Sequence, residues 1–244
     1  MRLKLLLKPY ILKPFIIMHV FSTIQVICGY YVFIYYSLDI ISRLKAEDST
    51  LDEKLSNLVM SSEPVISVLA TLFYMYRAGR RPVALISGLG SAVSLTLLSL
   101  MLFLRENKAS FLSPRIQEYT NITLLLCYVA FYTFGFYILP TFMMGETQNA
   151  RTRSLVYSYI FTINDLLIGM ALLNYYVLLN TLKLQGMFLL SGASCLICTI
   201  LCYLFLPETR GKTLEQIEDD FKDPNILWSR RINQDKEIKD PMLT

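Results

Sequence analysis

Charged residues are scarce in this chain, at 17% of its 244 residues, and His19 is its single histidine. A soluble domain ordinarily carries about 25% charged residues. One histidine gives little support for a histidine-rich metal site or a Ser–His catalytic pair. A glycine-rich phosphate loop is also missing from the sequence. These absences argue against a soluble domain and against an enzyme, and they give no reason to expect a cofactor.

Apolar residues, in contrast, supply 54% of the chain, and the mean hydropathy is +0.46. Six apolar runs of about 20 residues or more are each long enough to cross roughly 30 Å of hydrocarbon as a helix. They cover residues 14–39, 55–76, 83–104, 122–145, 154–179 and 186–207. The sequence therefore predicts an all-α membrane protein with six transmembrane helices.

All five cysteines fall inside predicted spans: Cys28, Cys127, Cys195, Cys198 and Cys202. The CxxC spacing of Cys195 and Cys198 would suggest metal or redox chemistry in a soluble protein. Inside an apolar helix we interpret them as small packing residues.

The positions of lysine and arginine predict the orientation in the membrane. Most of the 23 lie at the N-terminus, in the second and fourth connectors and in the tail. We therefore expect a multi-pass cell-membrane protein with a cytosolic approach segment at 1–13, a six-helix bundle at 14–207 and a cytosolic tail at 208–244. Because the basic residues flank helices and do not alternate with stacking aromatics, nucleic acid is not an expected partner.

Three short motifs lie at the cytosolic ends of the predicted helices. Residues 206–217 read LPETRGKTLEQI and resemble the PETKGKTLEEI-like sequence that follows the twelfth helix of sugar porters of the major facilitator superfamily. RAGRRP at 77–82 resembles the (D/E)RxGRRP signature between the family's eighth and ninth helices, although Tyr76 replaces the acidic residue. PTFMMGE at 140–146 resembles the end of the tenth helix, with Arg153 seven residues after Glu146. Its Met-Met-Gly-Glu stretch is most similar to insect facilitated trehalose transporters.

The resemblance covers residues 5–221 and implies helices seven to twelve, one half of the major facilitator fold built as a 3+3 repeat. It also implies a conformational latch at the cytosolic surface, where partly desolvated charge-assisted hydrogen bonds are stronger than exposed ones. The expected latch residues are Arg77, Arg80, Arg81, Glu146, Arg153 and Glu208. The alternative is that these are independent, solvated loop charges.

The resemblance also indicates a substrate site at Gln25, Tyr31, Thr141, Asn164 and Asp165. Gln25 and Asn164 match family residues, whereas the other three replace an asparagine and two tryptophans. The tyrosines at positions 30, 31, 35 and 36 offer hydroxyls and stacking faces, or else they pack.

Two carboxylates, Glu63 and Asp165, lie inside predicted spans, where charge is costly and usually functional. Each is expected to face an aqueous cavity, to bind a cation or to exchange a proton. For Glu63 the alternative is that its helix begins after it.

The sequence thus predicts a trehalose- or hexose-type transporter present as a half-length chain. Its expected partners are the lipid bilayer, a small sugar and either a complementary N-terminal half or a second copy of the chain. The replacement of family residues at the substrate positions favours one alternative, a non-transporting relative that acts in membrane interactions or nutrient sensing. A truncated gene product is the other.

Overall fold

The computed structural model describes residues 9–45, 52–107, 113–148, 152–209, 211–213, 216–217, 219 and 221. Within them nine α-helices and one π-helical turn follow one another. They are α1 (Pro9–Ile27), α2 (Tyr30–Tyr35), α3 (Ser37–Leu44), α4 (Glu53–Ala78), α5 (Arg80–Glu106), α6 (Pro114–Tyr132), the π turn (Thr133–Tyr137), α7 (Leu139–Thr147), α8 (Arg153–Leu173) and α9 (Tyr175–Phe205).

Six helical stretches are long and apolar enough to cross a membrane. They are Ile11–Tyr35, Glu53–Ala78, Arg80–Glu106, Pro114–Thr147, Arg153–Leu173 and Tyr175–Phe205. The described residues contain no β-strand. The predicted fold class, an all-α membrane protein with six spans, is confirmed.

Some predicted boundaries are wrong. The fourth helix begins at Pro114 rather than at residue 122. Proline is favourable at the first helical position, and the polar residues that follow it form the first turns of the helix. The fifth ends at Leu173 rather than at residue 179, since Asn174 leaves helical geometry. The last helix begins at Tyr175 and is interrupted at Lys183, which has a φ of 56°.

A glycine interrupts the first span. Gly29 has a φ of 87° and its N–H bonds Val26, which leaves the carbonyl of Gln25 without its helical donor. The hydroxyl of Tyr132 donates to that carbonyl at 2.8 Å, and the hydroxyl of Tyr128 donates to the carbonyl of Cys28 at 2.9 Å. Buried tyrosines of α6 therefore stabilise the break in the first span.

The centre of the bundle is the close packing of α5 against α9 and the π turn. A Cβ on Gly88 would overlap the Thr199 hydroxyl and lie 2.5 Å from the Phe136 ring. The Ser87 hydroxyl accepts a hydrogen bond from the Phe136 N–H at 2.9 Å. Cys195 and Cys198 of α9 are buried free thiols. Small residues thus bring the helices together, as is typical in membranes.

The helices α4 and α8 bury the smallest shares of their apolar lengths. Their outward side chains include Ile66 and Phe73 on α4 and Leu173 on α8. Each of these two helices is therefore largely uncovered by the rest of the bundle.

Gly88→Ala should destabilise the bundle by about 1–3 kcal/mol, because the added methyl group overpacks the contact of α5 with α9. Gly169→Ala is the matched control, since a Cβ there meets nothing within 4 Å. Thermal unfolding in detergent can be followed by reaction of the buried cysteines with a thiol-reactive dye. Equal unfolding temperatures for the two variants would contradict this packing.

Candidate functional site

One charged cluster lies at the end of the bundle where α5 begins. We call it the arginine-rich end, and its members are Arg80, Arg81, Glu146, Glu208 and Thr209. The Glu208 carboxylate accepts hydrogen bonds from the backbone N–H groups of Arg80, at 3.2 Å, and Arg81, at 3.1 Å. Helices leave these first N–H groups unpaired, and the helix dipole favours an anion beside them. Glu208 thus caps α5.

Gly79 makes room for this cap. Its φ is 94°, and a Cβ at this position would lie 2.9 Å from a Glu208 carboxylate oxygen. Glycine is required here both for its backbone conformation and for its missing side chain.

Glu146 connects the cap to α7. One carboxylate oxygen lies 2.5 Å from Nη2 of Arg80, and the other accepts a hydrogen bond from the Thr209 hydroxyl. The side chains of Arg80 and Glu146 are 21% and 26% exposed. The start of α5, the end of α7 and the segment after α9 are therefore held together by partly desolvated charge.

Arg81 is buried and contacts the last turn of α9. Its Nη2 donates to the Tyr203 carbonyl, and its guanidinium lies 5.2 Å from the centroid of the Tyr203 ring. Carbonyls at a helix C-terminus carry partial negative charge, which favours a cation there. Arg81 thereby connects the first turn of α5 to the end of α9.

Two of the expected latch residues make other contacts. Arg153, at the start of α8, donates to the Gln148 carbonyl at 3.3 Å. The Arg77 guanidinium lies 5.0 Å above the Phe73 ring. The direct contacts described above thus join Arg80 to Glu146 and Glu208. Sequence reasoning missed Thr209, although it follows Glu208 in the same motif.

A second polar region lies within the spans, where four tyrosines form what we call the tyrosine surface: Tyr30, Tyr31, Tyr132 and Tyr137. The rings of Tyr30 and Tyr132 stack with centroids 4.7 Å apart, and Tyr30 also contacts Tyr31 at 5.4 Å and Tyr137 at 5.4 Å. Tyr137 was missed because it sits in an apolar run, and only the π turn directs it towards α2.

Gln25 holds α1 to the π turn. It is 5% exposed, and its Nε2 donates to the Tyr137 carbonyl at 3.3 Å. Its amide is therefore already engaged by the backbone, so its position beside the tyrosine surface is fixed.

Glu63 and Asp165, which lie well inside their spans, interact electrostatically with the tyrosine surface. Tyr30 interacts electrostatically with Glu63 of α4, and Tyr31 with Asp165 of α8. Asp165 is exposed, and Glu63 is partly exposed. The substrate-site residues Tyr31 and Asp165 thus interact electrostatically, and their role in binding a substrate stays a prediction.

The remaining predicted substrate residues lie on α7 and α8. Thr141 is exposed, four residues after Tyr137, and its side chain makes no hydrogen bond among the described residues. The Asn164 amide oxygen is buried and has no protein hydrogen-bond partner in the described part of the chain. Buried polar atoms of this kind normally have a partner, so this oxygen can accept a hydrogen bond from a ligand or water.

Glu146→Gln should destabilise the arginine-rich end by about 1–3 kcal/mol, because it removes the charge that partners Arg80 in a partly desolvated site. Thermal unfolding followed by cysteine exposure measures this loss. The control is Glu106→Gln at the opposite end of α5, whose partner Lys183 is 65% exposed. An unfolding temperature for Glu146→Gln equal to that of the control would show that Glu146 is a solvated loop charge.

Comparisons with known proteins identify the family to which this chain belongs. The family described as "Sugar (and other) transporter" matches residues 2–221. The chain is 26% identical over 215 residues to the facilitated trehalose transporter Tret1 of Drosophila yakuba, covering 87% of this chain and 24% of that protein. It is 27% identical over 213 residues to Tret1 of Apis mellifera ligustica, covering 87% of this chain and 41% of that protein.

The chain therefore spans between 24% and 41% of the length of these two curated relatives. The family match extends over all six spans and over the motifs of the arginine-rich end. It confirms the resemblance to sugar porters that those motifs indicated, and the chain belongs to the sugar (and other) transporter family.

Proposed function

We propose that this chain forms helices seven to twelve of a membrane transporter for trehalose or a hexose-type sugar. The observation that carries the proposal is the tyrosine surface within the apolar spans, where Tyr31 and Tyr137 are at least partly exposed. Polar groups at membrane depth are costly and usually serve a pathway or a ligand. The trehalose transporters among the relatives supply the substrate class.

A sugar presents many hydroxyls that both donate and accept hydrogen bonds, and a binding site recognises them by pairing each one. In the proposed site the Asn164 oxygen, which lacks a protein donor, accepts from one sugar hydroxyl. Tyr31, Asp165 and Thr141 are at least partly exposed and supply further partners. Gln25 contributes chiefly by fixing Tyr137 beside them.

The uncovered sides of α4 and α8 are the proposed contact with a second six-helix unit. An exposed polar side chain there, such as that of Asp165 on α8, would be costly against lipid. A complementary half with helices one to six, or a second copy of this chain, would cover them. Transporters of this kind bind substrate at the interface between two such repeats.

The contacts of Arg80, Glu146 and Glu208 are the proposed latch. They join the start of α5, the end of α7 and the segment after α9 at one end of the bundle. Each charge-assisted hydrogen bond contributes only about 1–3 kcal/mol, so a transport cycle can break and remake them.

Asn164→Ala should raise the KM for trehalose or glucose uptake about 2- to 10-fold, because one lost hydrogen bond costs roughly 0.5–1.5 kcal/mol. Radiolabelled uptake is measured in oocytes that express the chain alone or together with the first six helices of the honeybee relative. Asn180→Ala, an exposed position outside the site, is the matched control. Equal KM values for the two variants would remove Asn164 from the site.

The alternative function is a non-transporting relative in membrane interaction or sensing. It is favoured by Thr141, whose small side chain stands where the family usually places a tryptophan against the sugar. Uptake no higher than in uninjected oocytes in both expression formats, with the chain at the cell surface, would support this alternative and reject the proposed transport.

The proposed location is the cell membrane with both chain ends in the cytosol, because the arginine-rich end would then follow the positive-inside rule. A reporter fused after Thr244 should be accessible only after the membrane is permeabilised. Labelling of that reporter on intact cells would reverse the orientation and move the latch outside.

A further inference from the structure

Glu63 lies deep within a membrane span. Helix α4 begins at Glu53, so Glu63 follows ten residues later, roughly 15 Å along the axis at about 1.5 Å per residue. That is near the middle of a hydrocarbon layer of about 30 Å. The alternative that this helix begins after Glu63 is wrong.

The side-chain partners of Glu63 are hydroxyl groups. Its Oε1 is in hydrogen-bond contact with the Ser67 hydroxyl of the next helical turn, and its Oε2 lies 3.3 Å from Oγ1 of Thr133 in the π turn. The ion pairs among the described residues are Arg43–Asp39, Lys45–Glu53, Arg80–Glu146 and Lys183–Glu106, and none involves Glu63. The described residues also contain no group of three histidine, cysteine, aspartate or glutamate side chains that could hold a metal ion. In the part of the chain that the structure describes, neither an ion pair nor such a group accounts for this carboxyl.

The single hydroxyl proton of Thr133 cannot serve both of its contacts. A threonine hydroxyl has one proton to donate. The Thr133 hydroxyl can donate its proton to the Val129 carbonyl, 2.7 Å away, or to Glu63, 3.3 Å away, and the shorter distance favours Val129. Two oxygens without a proton between them would then face each other across the contact of α4 with the π turn.

We propose that Glu63, with Ser67 and Thr133, forms a proton-binding site that joins α4 to the π turn. The protonated carboxyl donates to Oγ1 of Thr133, and the Ser67 hydroxyl donates to its other oxygen. A neutral carboxyl is also the form that the membrane interior favours in the absence of a cation.

The charged groups on neighbouring elements lie at the ends of their helices. Asp39 and Arg43 of α3 pair with each other, and Arg80, Arg81, Arg105 and Glu106 occupy the two ends of α5. Arg115 and Glu118 lie in the first turns of α6.

The remaining titratable neighbours are tyrosines. Tyr30 of α2 interacts electrostatically with Glu63. The hydroxyls of Tyr128 and Tyr132 are engaged by backbone carbonyls of α1 and the Gly29 break. Tyr137 belongs to the π turn and contacts Tyr30. Glu63 is therefore the carboxyl that titrates at this contact.

Loss of the proton would place a negative charge beside Thr133, and the contact would then persist only if the Thr133 hydroxyl turned its proton from Val129 to Glu63. One further hydrogen bond, from the Thr71 hydroxyl to the Phe134 carbonyl, would remain between α4 and the π turn. Because the π turn carries Tyr137, the proton occupancy of Glu63 would alter the tyrosine surface. The proton site stands by itself, and only its effect on sugar binding rests on the proposed function.

Infrared spectroscopy of the purified full chain in lipid tests the proton directly. At neutral pH, where an exposed glutamate is ionised, wild type should show the carbonyl band of a protonated carboxyl. Glu63→Gln should lose that band, whereas Asp165→Asn, which changes the other carboxylate in this region, should keep it. A band that persists unchanged in Glu63→Gln, or is missing from wild type, would overturn the proposal whether or not the chain transports sugar.

The hydrogen bond to Thr133 has its own test. Thr133→Val keeps the side-chain shape but removes the acceptor, so the Glu63 band should shift in frequency, while Thr133→Ser should leave it in place. Dye reaction of the buried cysteines shows whether each variant is folded. An unshifted band in folded Thr133→Val would overturn the assigned bond.

Discussion

The constraint on which this structure depends is that every backbone N–H and C=O group inside the bilayer must find a partner within the protein. An uninterrupted helix meets that constraint by itself. This chain does not use uninterrupted helices throughout, because Gly29 breaks the first span and the π turn interrupts the fourth. The backbone groups that lose their helical partners at these two breaks need side-chain partners close by.

The side chains that stabilise the breaks also create the polar interior. Tyr132 and Tyr128 reach the carbonyls freed near Gly29, and Gln25 reaches the carbonyl of Tyr137 at the end of the π turn. The same rings form or adjoin the tyrosine surface. Tyr132, which stabilises the Gly29 break, stacks on Tyr30, which in turn contacts Tyr31 of the proposed site, so a change at that break would alter the tyrosine surface.

The arginine-rich end also supplies partners for unpaired backbone groups. The first N–H groups of α5 have no helical acceptors, and Glu208 supplies them from the segment after α9. Glu146 and Thr209 then connect this cap to α7. The hydrogen bonds of the cluster involve charged groups that are only partly desolvated. They are therefore stronger than exposed ion pairs but weak enough to break.

The sequence by itself determined the six spans and the positions of the motifs around Gly79, Glu146 and Glu208, because hydrophobic length and turn chemistry are local properties of the chain. Tertiary structure alone decided that Glu208 caps α5, that Tyr132 stabilises the Gly29 break and that Glu63 meets Thr133. These contacts join residues 70 to 128 positions apart in sequence. Only the packing of helices brings such residues together, and no spacing rule encodes it.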